Sequence, residues 1–460
     1  MTLPEQYDAI VVGSGQAGGP LSMALAQAGR RTALIEREHV GGTCINEGCT
    51  PTKTMVASGR VAYLARRAAE YGVETAAVRI DLGRVRERKR AIVKSFREGN
   101  ERRLKKTSGL DLVAGEARFV GPRTVAVDGR TLTASQLFVN VGCRPAAPDI
   151  AGIDQVGPLD STSIMELDTV PEHLLVVGGG YIGLEFAQMF RRFGSRVTIV
   201  QRGGQLLPLE DDDIAEAVTA VLREDGIEVV LNARPRCAEP LPGGGVRLVV
   251  GTSSGEVALE GSRVLLAVGR VPNTDRLDPA AGGIDTDARG FIVVNQRLET
   301  SAPGVWALGD VHGGPAFTHI SYDDFRVIRS NLLQGGDATT ADRQVPYTVF
   351  IDPQLGRVGL SEREARAQGR EYRVARLPMT HVARALEMDE SRGVMKVLVE
   401  PHSGKLLGAA ILGIEGGEIM AMLQLAMMGN LPYDSLRDAV FAHPTLAESL
   451  NNLFANLEGV

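Results

Sequence analysis

Residues 41–53 read GGTCINEGCTPTK, a stretch in which two cysteines, Cys44 and Cys49, stand five positions apart. The residues after Cys49 have helical character, and five residues is a little over one helical turn, so both sulfurs can lie on one face and meet with modest backbone distortion. Gly41 and Gly42 have no Cβ atoms, so the backbone there can approach a large flat group. A helix N-terminus stabilises a thiolate, which favours a reactive pair. The spacing alone leaves two unrelated buried cysteines as an equal alternative.

A strand, a glycine-rich turn, a helix and a second strand precede this stretch. The first strand is residues 7–12, the turn contains Gly13, Gly15 and Gly18, and the second strand ends on Glu36. Glycines in such a turn let the backbone approach a pyrophosphate at the helix N-terminus, and the acid can bind ribose hydroxyls. The GxGxxG pattern by itself is weak evidence, but this order of elements predicts a dinucleotide site.

The same unit recurs at residues 174–200, where the turn contains Gly178, Gly180 and Gly183. Two such units in one chain predict two dinucleotides, one a tightly held flavin and the other a diffusible nicotinamide.

The acid of the first unit has no counterpart in the second. At the position equivalent to Glu36 stands Gln201, which is followed by Arg202. The loss of the acid removes repulsion toward a 2′-phosphate, and Arg202 can pair with that group. We therefore expect NADPH as the coenzyme. The alternative is that Arg202 is simply exposed to solvent and that NADH is used.

A third acid has a position suited to ligand binding. The stretch TSAPGVWALGD, residues 300–310, places Asp310 directly after a short apolar strand. An acid at the carboxyl end of a parallel strand points into the ligand crevice of the sheet. Asp310 can therefore bind a ribityl or ribose hydroxyl.

From about Pro346 the sequence changes to antiparallel strand patterns mixed with helices, without a glycine-rich nucleotide turn. This part ends in AHPTLAESLNNLF, where His443 and Glu448 are five positions apart at a predicted helix start. A neutral imidazole held by a carboxylate suits proton transfer to a leaving thiolate. On sequence alone, a structural histidine is the alternative.

Two charged runs stand outside these motifs. Residues 84–106 hold eleven Lys and Arg against three Glu, and we interpret them as a solvated helix rather than a nucleic-acid face. The acids at 210–213 precede a helical pattern, and we interpret them as suited to a helix N-terminus and without a further role.

Composition limits the class of protein. The chain has 460 residues, enough for about three domains, and its net charge of −6 gives no electrostatic reason to bind nucleic acid. No run of apolar residues is long enough to span a membrane, and the N-terminal sequence has no signal-peptide pattern. Four cysteines do not make a secreted disulfide framework, so we expect a cytoplasmic protein with a catalytic cysteine pair.

Taken together, these motifs resemble the class I pyridine nucleotide–disulfide oxidoreductases, such as glutathione reductase, dihydrolipoyl dehydrogenase and mercuric reductase. GGTCINEGCTPTK resembles the redox-active disulfide motif, TSAPGVWALGD the second FAD motif, GGGYIGLEFA the nicotinamide motif and HPTLAE the C-terminal His–Glu pair. FTHISYDDFRVIRSNLL, VPYTVF and MDESRGVMKVLV are most similar to the mercuric-reductase-like branch, which includes the reactive-chlorine-resistance flavoprotein credited with copper(II) reduction.

The resemblance covers essentially the whole chain and implies an α/β fold of the glutathione-reductase type. We expect two Rossmann-like dinucleotide-binding domains and a C-terminal α+β dimerisation domain. The implied division is 1–145 for the first part of the FAD domain, 146–270 for the NAD(P) domain, 271–345 for the central FAD part and 346–460 for the dimerisation domain.

The resemblance also implies roles for the residues of the disulfide motif. Cys49 would be the flavin-proximal thiolate and Cys44 the outward thiol that exchanges with substrate. Lys53 would lie by the flavin N5 and pair with Glu185.

Other roles follow in the same way from matching positions. Tyr181 would cover the nicotinamide pocket, and Gly42, Thr43 and Gly269 would contact a cofactor. His443, oriented by Glu448, would act as a general acid and base toward the active site of the other subunit of a homodimer.

The chain departs from true mercuric reductases, which carry a cysteine pair near the C-terminus, because its last cysteine is Cys237. Efficient mercury reduction is therefore not expected, although a soft metal ion can bind to Cys44 and Cys49. We expect no dedicated metal site. Cys143 is interpreted as a packing residue, and no role is assigned to His319 or His381.

The resulting hypothesis is a reductase that passes electrons from NAD(P)H through FAD and the Cys44–Cys49 disulfide to a small disulfide or an oxidised metal ion. One alternative is dihydrolipoyl dehydrogenase, which works with NAD⁺ in the opposite direction. Another is a flavin redox sensor with little turnover.

Overall fold

The computed structural model describes residues 3–457, which form two compact units. The first unit contains the residues up to Met55, together with Arg84–Ala146 and Gly269–Arg343. The second contains Val56–Gly83, Ala147–Val268 and the residues from Gln344 onward. The four-part domain division proposed from the sequence stays a prediction.

The strands in the described residues are β1 (Glu5–Val12), β2 (Thr32–Glu36), β3 (Leu110–Ala114), β4 (Arg118–Gly121), β5 (Thr124–Val127), β6 (Arg130–Val139), β7 (Cys143–Pro145), β8 (His173–Val177), β9 (Arg196–Val200), β10 (Glu228–Val230), β11 (Arg234–Pro240), β12 (Val246–Thr252), β13 (Gly255–Gly261), β14 (Arg263–Leu266), β15 (Arg270–Pro272), β16 (Val305–Ala307), β17 (Tyr347–Val349), β18 (Gln354–Gly359), β19 (Arg373–Pro378), β20 (Val394–Val399) and β21 (Leu406–Gly413). The α-helices are α1 (Gly18–Gln27), α2 (Gly42–Asn46), α3 (Cys49–Arg66), α4 (Leu82–Lys106), α5 (Tyr181–Phe193), α6 (Asp212–Glu224), α7 (Thr318–Leu333), α8 (Glu362–Ala367), α9 (Ala383–Glu387), α10 (Gly416–Met428), α11 (Tyr433–Arg437) and α12 (Ser449–Ala455).

The main sheet of the first unit has seven strands in the order β3-β2-β1-β6-β5-β4, with β16 also paired to β6. The pairs of β1 with β2, β1 with β6 and β6 with β16 are parallel. Ile10, Val11 and Val12 are all buried, because a central parallel strand is covered on both faces. The carboxyl ends of these four strands therefore meet at one edge, where ligands bind in sheets of this kind.

The second unit contains a smaller parallel sheet in the order β10-β9-β8-β14. Helix α5 follows β8 and α6 follows β9 in the chain, which gives the second strand–turn–helix–strand unit predicted from the sequence. A separate antiparallel sheet contains β11, β12 and β13. Residues 242–245, PGGG, lie between two alternating apolar runs and predict a hairpin turn, and the Leu241 N–H indeed donates to the Gly245 carbonyl at 3.2 Å.

The C-terminal part of the second unit is a five-stranded antiparallel sheet in the order β17-β18-β21-β20-β19. Its core includes Val397 and Ile411 from the sheet, Leu423 from α10, and Leu453 and Phe454 from α12. This is the α+β module predicted from Pro346 onward.

The helices of both dinucleotide units begin earlier than predicted. In the sequence, the helical patterns of the two units run from 21 to 28 and from 184 to 193, whereas the helices begin at Gly18 and at Tyr181. Apolar periodicity misses these first turns because they lie on or next to the glycines of the turn. The first N–H groups of a helix need no partner within it, so poor helix formers are tolerated there.

Within residues 3–457, none of the helices has the length and the apolar content needed to cross a membrane. The same residues contain no group of three or more His, Cys, Asp or Glu side chains arranged to hold a metal ion.

Candidate active site

The two cysteines of the central motif lie on successive helices rather than on one. Cys44 is in α2, and Cys49 is the first residue of α3, an 18-residue helix. Gly48 lies between them, and a Cβ built on it would meet the Thr43 carbonyl oxygen at 3.0 Å. A side chain at position 48 would therefore crowd this carbonyl, and the break between the helices places Cys49 at a helix N-terminus, as the sequence predicted.

Both side chains are thiols in the structure, and Cys49 is the more exposed of the two. The pKa of the Cys44 thiol is raised well above its usual range by a side-chain hydrogen bond to Cys49, by burial and by repulsion from a charged Cys49. Because two adjacent thiolates repel each other, the pair retains one proton after the first has left. The helix N-terminus favours the charge on Cys49, so the proton belongs on Cys44.

A third side chain, Thr318, approaches the pair. Its hydroxyl Oγ1 is 3.3 Å from Cys49 Sγ, and a hydrogen bond from the same side chain opposes the rise in the pKa of Cys44. Thr318 stands in the stretch FTHISYDDFRVIRSNLL, but the sequence predicted no role for it, because it is 269 positions from Cys49.

The cysteine motif is attached to the first glycine-rich turn. The Gly41 N–H donates to Ser14 Oγ at 3.0 Å, and the Gln16 side chain donates to the Gly41 carbonyl at 3.3 Å. A Cβ on Gly42, which has φ +61°, would lie 2.8 Å from the Cα of Gly15. The backbone of the redox motif and the backbone of the dinucleotide turn are therefore in direct contact.

The turn itself requires its glycines. Gly13 has φ +97°, and a Cβ there would be 2.3 Å from the Asn140 carbonyl oxygen. A Cβ on Gly18 would be 2.0 Å from the carbonyl oxygen of Gly13, and one on Gly15 would be 2.9 Å from Asn140 Oδ1. Because of this close packing, α1 begins soon after β1 ends, and the N-terminus of α1 lies at the carboxyl edge of the sheet.

Glu36 ends β2 next to this turn. Its Oε2 accepts hydrogen bonds from the Ser14 backbone N–H at 3.0 Å and from Ser14 Oγ at 2.5 Å, and its Oε1 accepts from the Glu38 N–H at 3.0 Å. These bonds fix the carboxylate at the position predicted to meet ribose hydroxyls.

Asn140, directly after β6, is a residue that the sequence analysis missed. Its side chain is buried, with Oδ1 accepting from the Gly18 N–H at 2.9 Å and Nδ2 donating to the Leu308 carbonyl at 2.7 Å. Asn140 thus joins the glycine-rich turn to the second motif, which contains Asp310.

Asp310 lies in a short 3-10 helix, Gly309–His312, directly after β16. Burial raises the pKa of its carboxyl, while the charges of Arg270 and His312 lower it. The neighbouring Gly309 N–H donates to the fully buried Asp324 at 2.7 Å, which holds this short helix against α7. Asp310 is therefore at the carboxyl edge of the sheet, as predicted.

These residues fit FAD. The helix N-terminus after Gly13–Gly18 suits a pyrophosphate, and Glu36 and Asp310 are acids at the carboxyl ends of parallel strands. The cysteine motif, with Thr43 in α2, is held against the same turn, so a flavin at this edge would have the thiols close by.

The second glycine-rich turn has the same internal packing. Gly178 has φ +115°, and a Cβ on Gly183 would meet the carbonyl oxygen of Gly178 at 2.2 Å. A Cβ on Gly180, by contrast, would meet nothing within 4 Å. The packing of the chain does not require a glycine at this position, which leaves space for a ligand where Tyr181 begins α5.

Gln201 and Arg202 differ in environment. Gln201 is buried, with Oε1 accepting from the Gly179 N–H at 3.2 Å and Nε2 donating to the Gln205 carbonyl at 3.2 Å. Arg202 is exposed, and its guanidinium takes part in no hydrogen bond or ion pair among residues 3–457. The positive charge of Arg202 is thus accessible to a phosphate, whereas the Gln201 amide is already used.

Three further residues with predicted roles are Glu185, Lys53 and Gly269. Glu185 is 3% exposed, and its Oε1 accepts from the Phe350 N–H at 2.9 Å in the second unit. Lys53 belongs to the first unit, so its pairing with Glu185 stays a prediction. Gly269, with φ +116°, directly precedes β15, and its carbonyl accepts from the Ala146 N–H at 3.0 Å.

The predicted His–Glu pair is formed. His443 Nδ1 is 2.8 Å and 3.0 Å from the two carboxylate oxygens of Glu448, which directly precedes α12. The His443 side chain is 69% exposed, and its Nε2 makes no hydrogen bond among the described residues. The imidazole is therefore oriented by the acid and open on its other nitrogen.

The chain is similar to known proteins over almost its whole length. Residues 7–324 match the pyridine nucleotide-disulphide oxidoreductase family, and residues 345–454 match the dimerisation domain of that family. A probable pyridine nucleotide-disulfide oxidoreductase, RclA of Escherichia coli (strain K12), is 39% identical over 458 residues, which cover 98% of this chain and 99% of the relative. A mercuric reductase of Staphylococcus aureus is 34% identical over 444 residues, which cover 96% and 81%.

A solved structure described as the Cu(II) complex of the HOCl-induced flavoprotein disulfide reductase RclA from Escherichia coli is also similar. It superposes with a TM-score of 0.89 at 38% identity and covers 97% of this chain and 99% of that one. The glutathione-reductase-type fold with a C-terminal dimerisation domain, expected from the motifs, is thereby confirmed. The chain belongs to the pyridine nucleotide–disulphide oxidoreductase family.

Proposed function

We propose that this enzyme uses NADPH to reduce a small disulfide or an oxidised metal ion through the Cys44–Cys49 pair. The observation that carries the proposal is the attachment of the cysteine motif to the first glycine-rich turn, through Gly41 and Gly42. That attachment would place a redox-active cysteine pair beside the flavin on which the family depends.

The residues that would hold FAD are those of the carboxyl edge in the first unit: Gly13, Gly15, Gly18, Glu36 and Asp310. When bound, FAD supplies two-electron transfer between a nicotinamide and a thiol pair. The contribution of the chain is to bring its cysteines to this site and to control their protons.

The chemistry of the cysteine pair follows from its electrostatics. Two electrons and two protons convert the Cys44–Cys49 disulfide into two thiols. Cys49, at the N-terminus of α3, holds negative charge, while Cys44 keeps its proton until a base removes it. Cys44 then attacks the acceptor disulfide, one acceptor thiol leaves with a proton, and Cys49 displaces the second thiol as the Cys44–Cys49 bond re-forms.

The overall reaction balances for both acceptor classes. For a disulfide, NADPH and one proton reduce the sulfur–sulfur bond to two thiols and leave NADP⁺. For copper, NADPH reduces two Cu(II) ions to two Cu(I) ions and leaves NADP⁺ and one proton. Copper is proposed because the similar RclA structure is described as a Cu(II) complex and because thiols favour Cu(I). Mercury(II) is the weaker candidate, since the last cysteine is Cys237.

NADPH is proposed because Gln201 stands where an acid would repel the 2′-phosphate, and because Arg202, which follows it, is exposed and has no ion-pair partner among the described residues. The coenzyme would lie along the turn of Gly178, Gly180 and Gly183, with Tyr181 at the nicotinamide.

A homodimer is proposed because the chain carries the family's dimerisation domain. Four apolar side chains in that part of the chain are also strongly exposed: Leu425, Met428, Leu431 and Val440. An apolar surface of this kind is typical of a protein interface. In the dimer, His443 of one chain would exchange protons with the cysteine pair of the other, oriented by Glu448.

The proposal is tested by anaerobic titration of the purified holoenzyme with NADPH and then with NADH, while the flavin absorbance is recorded. A long-wavelength charge-transfer band after two electrons is expected, because the Cys49 thiolate would lie against the flavin. The titrant with the sharper end point identifies the coenzyme. Direct bleaching without that band would show that the cysteines take no part.

The Cys44→Ser variant provides the second test. It retains Cys49, so charge-transfer absorbance is expected without any reduction, whereas acceptor-dependent NADPH oxidation is lost. Turnover of the variant at the wild-type rate would refute the proposal. Fast NAD⁺-dependent oxidation of dihydrolipoamide by the wild type would instead favour a dihydrolipoyl dehydrogenase.

A further inference from the structure

The segment after β9 passes directly over the second glycine-rich turn. The Leu207 N–H donates to the Gly179 carbonyl at 2.8 Å, and the Gly179 N–H donates to Gln201 Oε1 at 3.2 Å. A Cβ on Gly179 would lie 2.7 Å from Leu206 Cδ2. Residues 201–207 therefore hydrogen-bond to both the N–H and the carbonyl of Gly179. They also fill the space that a Cβ on Gly179 would take.

This segment is held in a strained conformation. Leu207 is buried and has φ +46°, in the left-handed region that a leucine adopts at a cost of roughly 1–2 kcal/mol. Such strain persists only where surrounding contacts impose it, and it concentrates at functional sites. The contacts that impose it here come from Gln205 and Glu210, on either side of Leu207 in the chain.

Gln205 and Glu210 fix the strained turn. The Gln205 side-chain amide donates to the carbonyls of Leu207 at 3.3 Å and of Glu210 at 3.1 Å. The Glu210 N–H donates to the Leu207 carbonyl at 2.9 Å. We call residues 205–210 the latch segment.

The carboxylate of Glu210 anchors the latch segment to the C-terminal sheet of the same unit. Glu210 is 2% exposed, Tyr347 of β17 donates a short hydrogen bond to its Oε1, and Arg357 of β18 donates from Nε to its Oε2 at 3.2 Å. A buried carboxylate is costly unless it is paired and hydrogen-bonded, and these two partners satisfy it.

The next acid strengthens the same anchor. Asp211 accepts from the N–H groups of Glu362 at 2.9 Å and Arg363 at 3.1 Å, and it is 3.0 Å from the buried ammonium of Lys396. The interpretation that the acids at 210–213 serve only their own helix is therefore wrong. Asp211 directly precedes α6, yet its carboxylate caps α8 instead.

We propose that Glu210, Tyr347 and Gln205 are positioning residues for the nicotinamide coenzyme, because they hold the latch segment against the Gly178–Gly180 turn. The inference rests on the proposed function, in which the coenzyme lies along this turn. None of the three residues has to touch the coenzyme. A turn released from Leu207 can move its N–H groups away from the pyrophosphate, which weakens binding but leaves the cysteine pair unchanged.

The test uses Tyr347→Phe, which removes a single hydroxyl and keeps the ring, and Gln205→Ala, which removes the amide from a half-buried position. The dissociation constants of NADP⁺ and NAD⁺ for the oxidised holoenzyme are measured by titration calorimetry. We expect each variant to bind the preferred coenzyme roughly fivefold to tenfold more weakly. The KM for the coenzyme should rise in parallel, with kcat within about twofold of wild type.

Two controls separate positioning from general destabilisation. Reduction of the enzyme by dithiothreitol needs no coenzyme, so its rate and the resulting charge-transfer absorbance should be unchanged in both variants. Tyr7→Phe removes a matched hydrogen bond, from the buried Tyr7 hydroxyl to Asp111 at 2.9 Å in the other unit, and should leave coenzyme binding unchanged.

Unchanged dissociation constants in both variants would overturn the inference, as would a loss of dithiothreitol reduction equal to the loss of coenzyme binding. Failure of the proposed function has a different signature, because the wild-type flavin would then either bleach without the charge-transfer band or be reduced by neither NADPH nor NADH.

Discussion

Asn140 is the residue whose chemistry is best defined by its surroundings. Its acceptor oxygen meets a donor, the Gly18 N–H, and its donor nitrogen meets an acceptor, the Leu308 carbonyl, so the orientation of the amide is unambiguous. Both partners belong to motifs predicted to hold FAD. The side chain thus ties together two parts of one cofactor site without having to contact the cofactor.

Asn140→Ala should therefore weaken FAD retention. The change leaves the N–H of Gly18 and the carbonyl of Leu308 buried without partners, at about 1–3 kcal/mol each. We expect the dissociation constant of FAD, measured by titrating the apoprotein, to rise tenfold or more. The melting temperature of the holoprotein should fall more than that of the apoprotein.

Asn331→Ala is the matched control for this substitution. Asn331 also bridges backbone groups with both ends of its amide, donating to the Ala338 carbonyl at 2.9 Å and accepting from the Ala338 N–H at 2.7 Å. It takes no part in either flavin motif, so FAD affinity should stay at the wild-type value. Equal loss of FAD from both variants would contradict a special role for Asn140.

Cys143 leads to a prediction about pH. Burial raises the pKa of its thiol to about 12 from a usual value of 9.0. Between these values the folded chain keeps a proton that the unfolded chain has lost, so this residue makes the free energy of unfolding decrease as pH rises. Below pH 9 it contributes no such dependence.

Cys143→Ala should remove that component. We expect the free energy of unfolding, measured in urea at about pH 8 to 10.5, to fall less steeply with pH in the variant, by up to about one proton. Identical slopes for the variant and the wild type would show that the thiol is not protected. The result also bears on the interpretation of Cys143 as a packing residue rather than a reactive one.

At the scale of elements, one face of α5 binds a single segment of the C-terminal part, residues 350–352. Glu185 accepts from the Phe350 N–H, Gln188 exchanges two hydrogen bonds with the Asp352 backbone, and Arg192 donates to the Asp352 carboxylate at 2.6 Å. The spacing of three and then four residues places all three side chains on one side of the helix. The helix that begins at the coenzyme turn is thus fixed along its length.

Breaking the ion pair on this face should be costly. Arg192 and Asp352 are both almost completely buried, and Asp352→Asn leaves a buried guanidinium with less compensating charge. We expect the free energy of unfolding in urea to fall by about 3 kcal/mol. Asp225, at 3.8 Å from Arg192, keeps the loss at the lower end of the range for buried pairs.

Glu260→Gln is the comparison for an exposed pair. Arg247 and Glu260 lie opposite each other on β12 and β13 at 2.9 Å, and about half of each side chain is exposed. Loss of this ion pair should change the free energy of unfolding by less than about 1 kcal/mol. Similar small losses in both variants would mean that the α5 face does not depend on its buried charge.

The sequence predicted the structural features that depend on residues close together in the chain. The strand–turn–helix units of Gly13–Gly18 and Gly178–Gly183 follow from glycine spacing and apolar runs, and both are present as predicted. Residues whose partners are distant in the chain escaped notice. Asn140 acts on groups 122 and 168 positions away, and Thr318 lies 269 positions from Cys49. The local pattern does not identify the partners of such residues, because only the fold brings the partners to them.

At the scale of the whole molecule, the cysteine pair and the His–Glu pair belong to different units of the chain. Cys44 and Cys49 are in the first unit, and His443 and Glu448 are in the second. The chain alone thus leaves open which copy of His443 serves a given cysteine pair. In the proposed homodimer, the histidine of one chain serves the cysteines of the other chain. Heterodimers of two different variants test this arrangement.

Complementation between two inactive variants gives the decisive result. Cys44→Ser and His443→Gln homodimers should both lack acceptor reduction, since each site lacks its exchanging thiol or its proton carrier. A heterodimer of the two, purified through different tags after co-expression, has both lesions in one shared site and none in the other. It should therefore recover about half of the wild-type activity per dimer. If His443 instead served the cysteines of its own chain, every site would carry one lesion and the heterodimer would stay inactive.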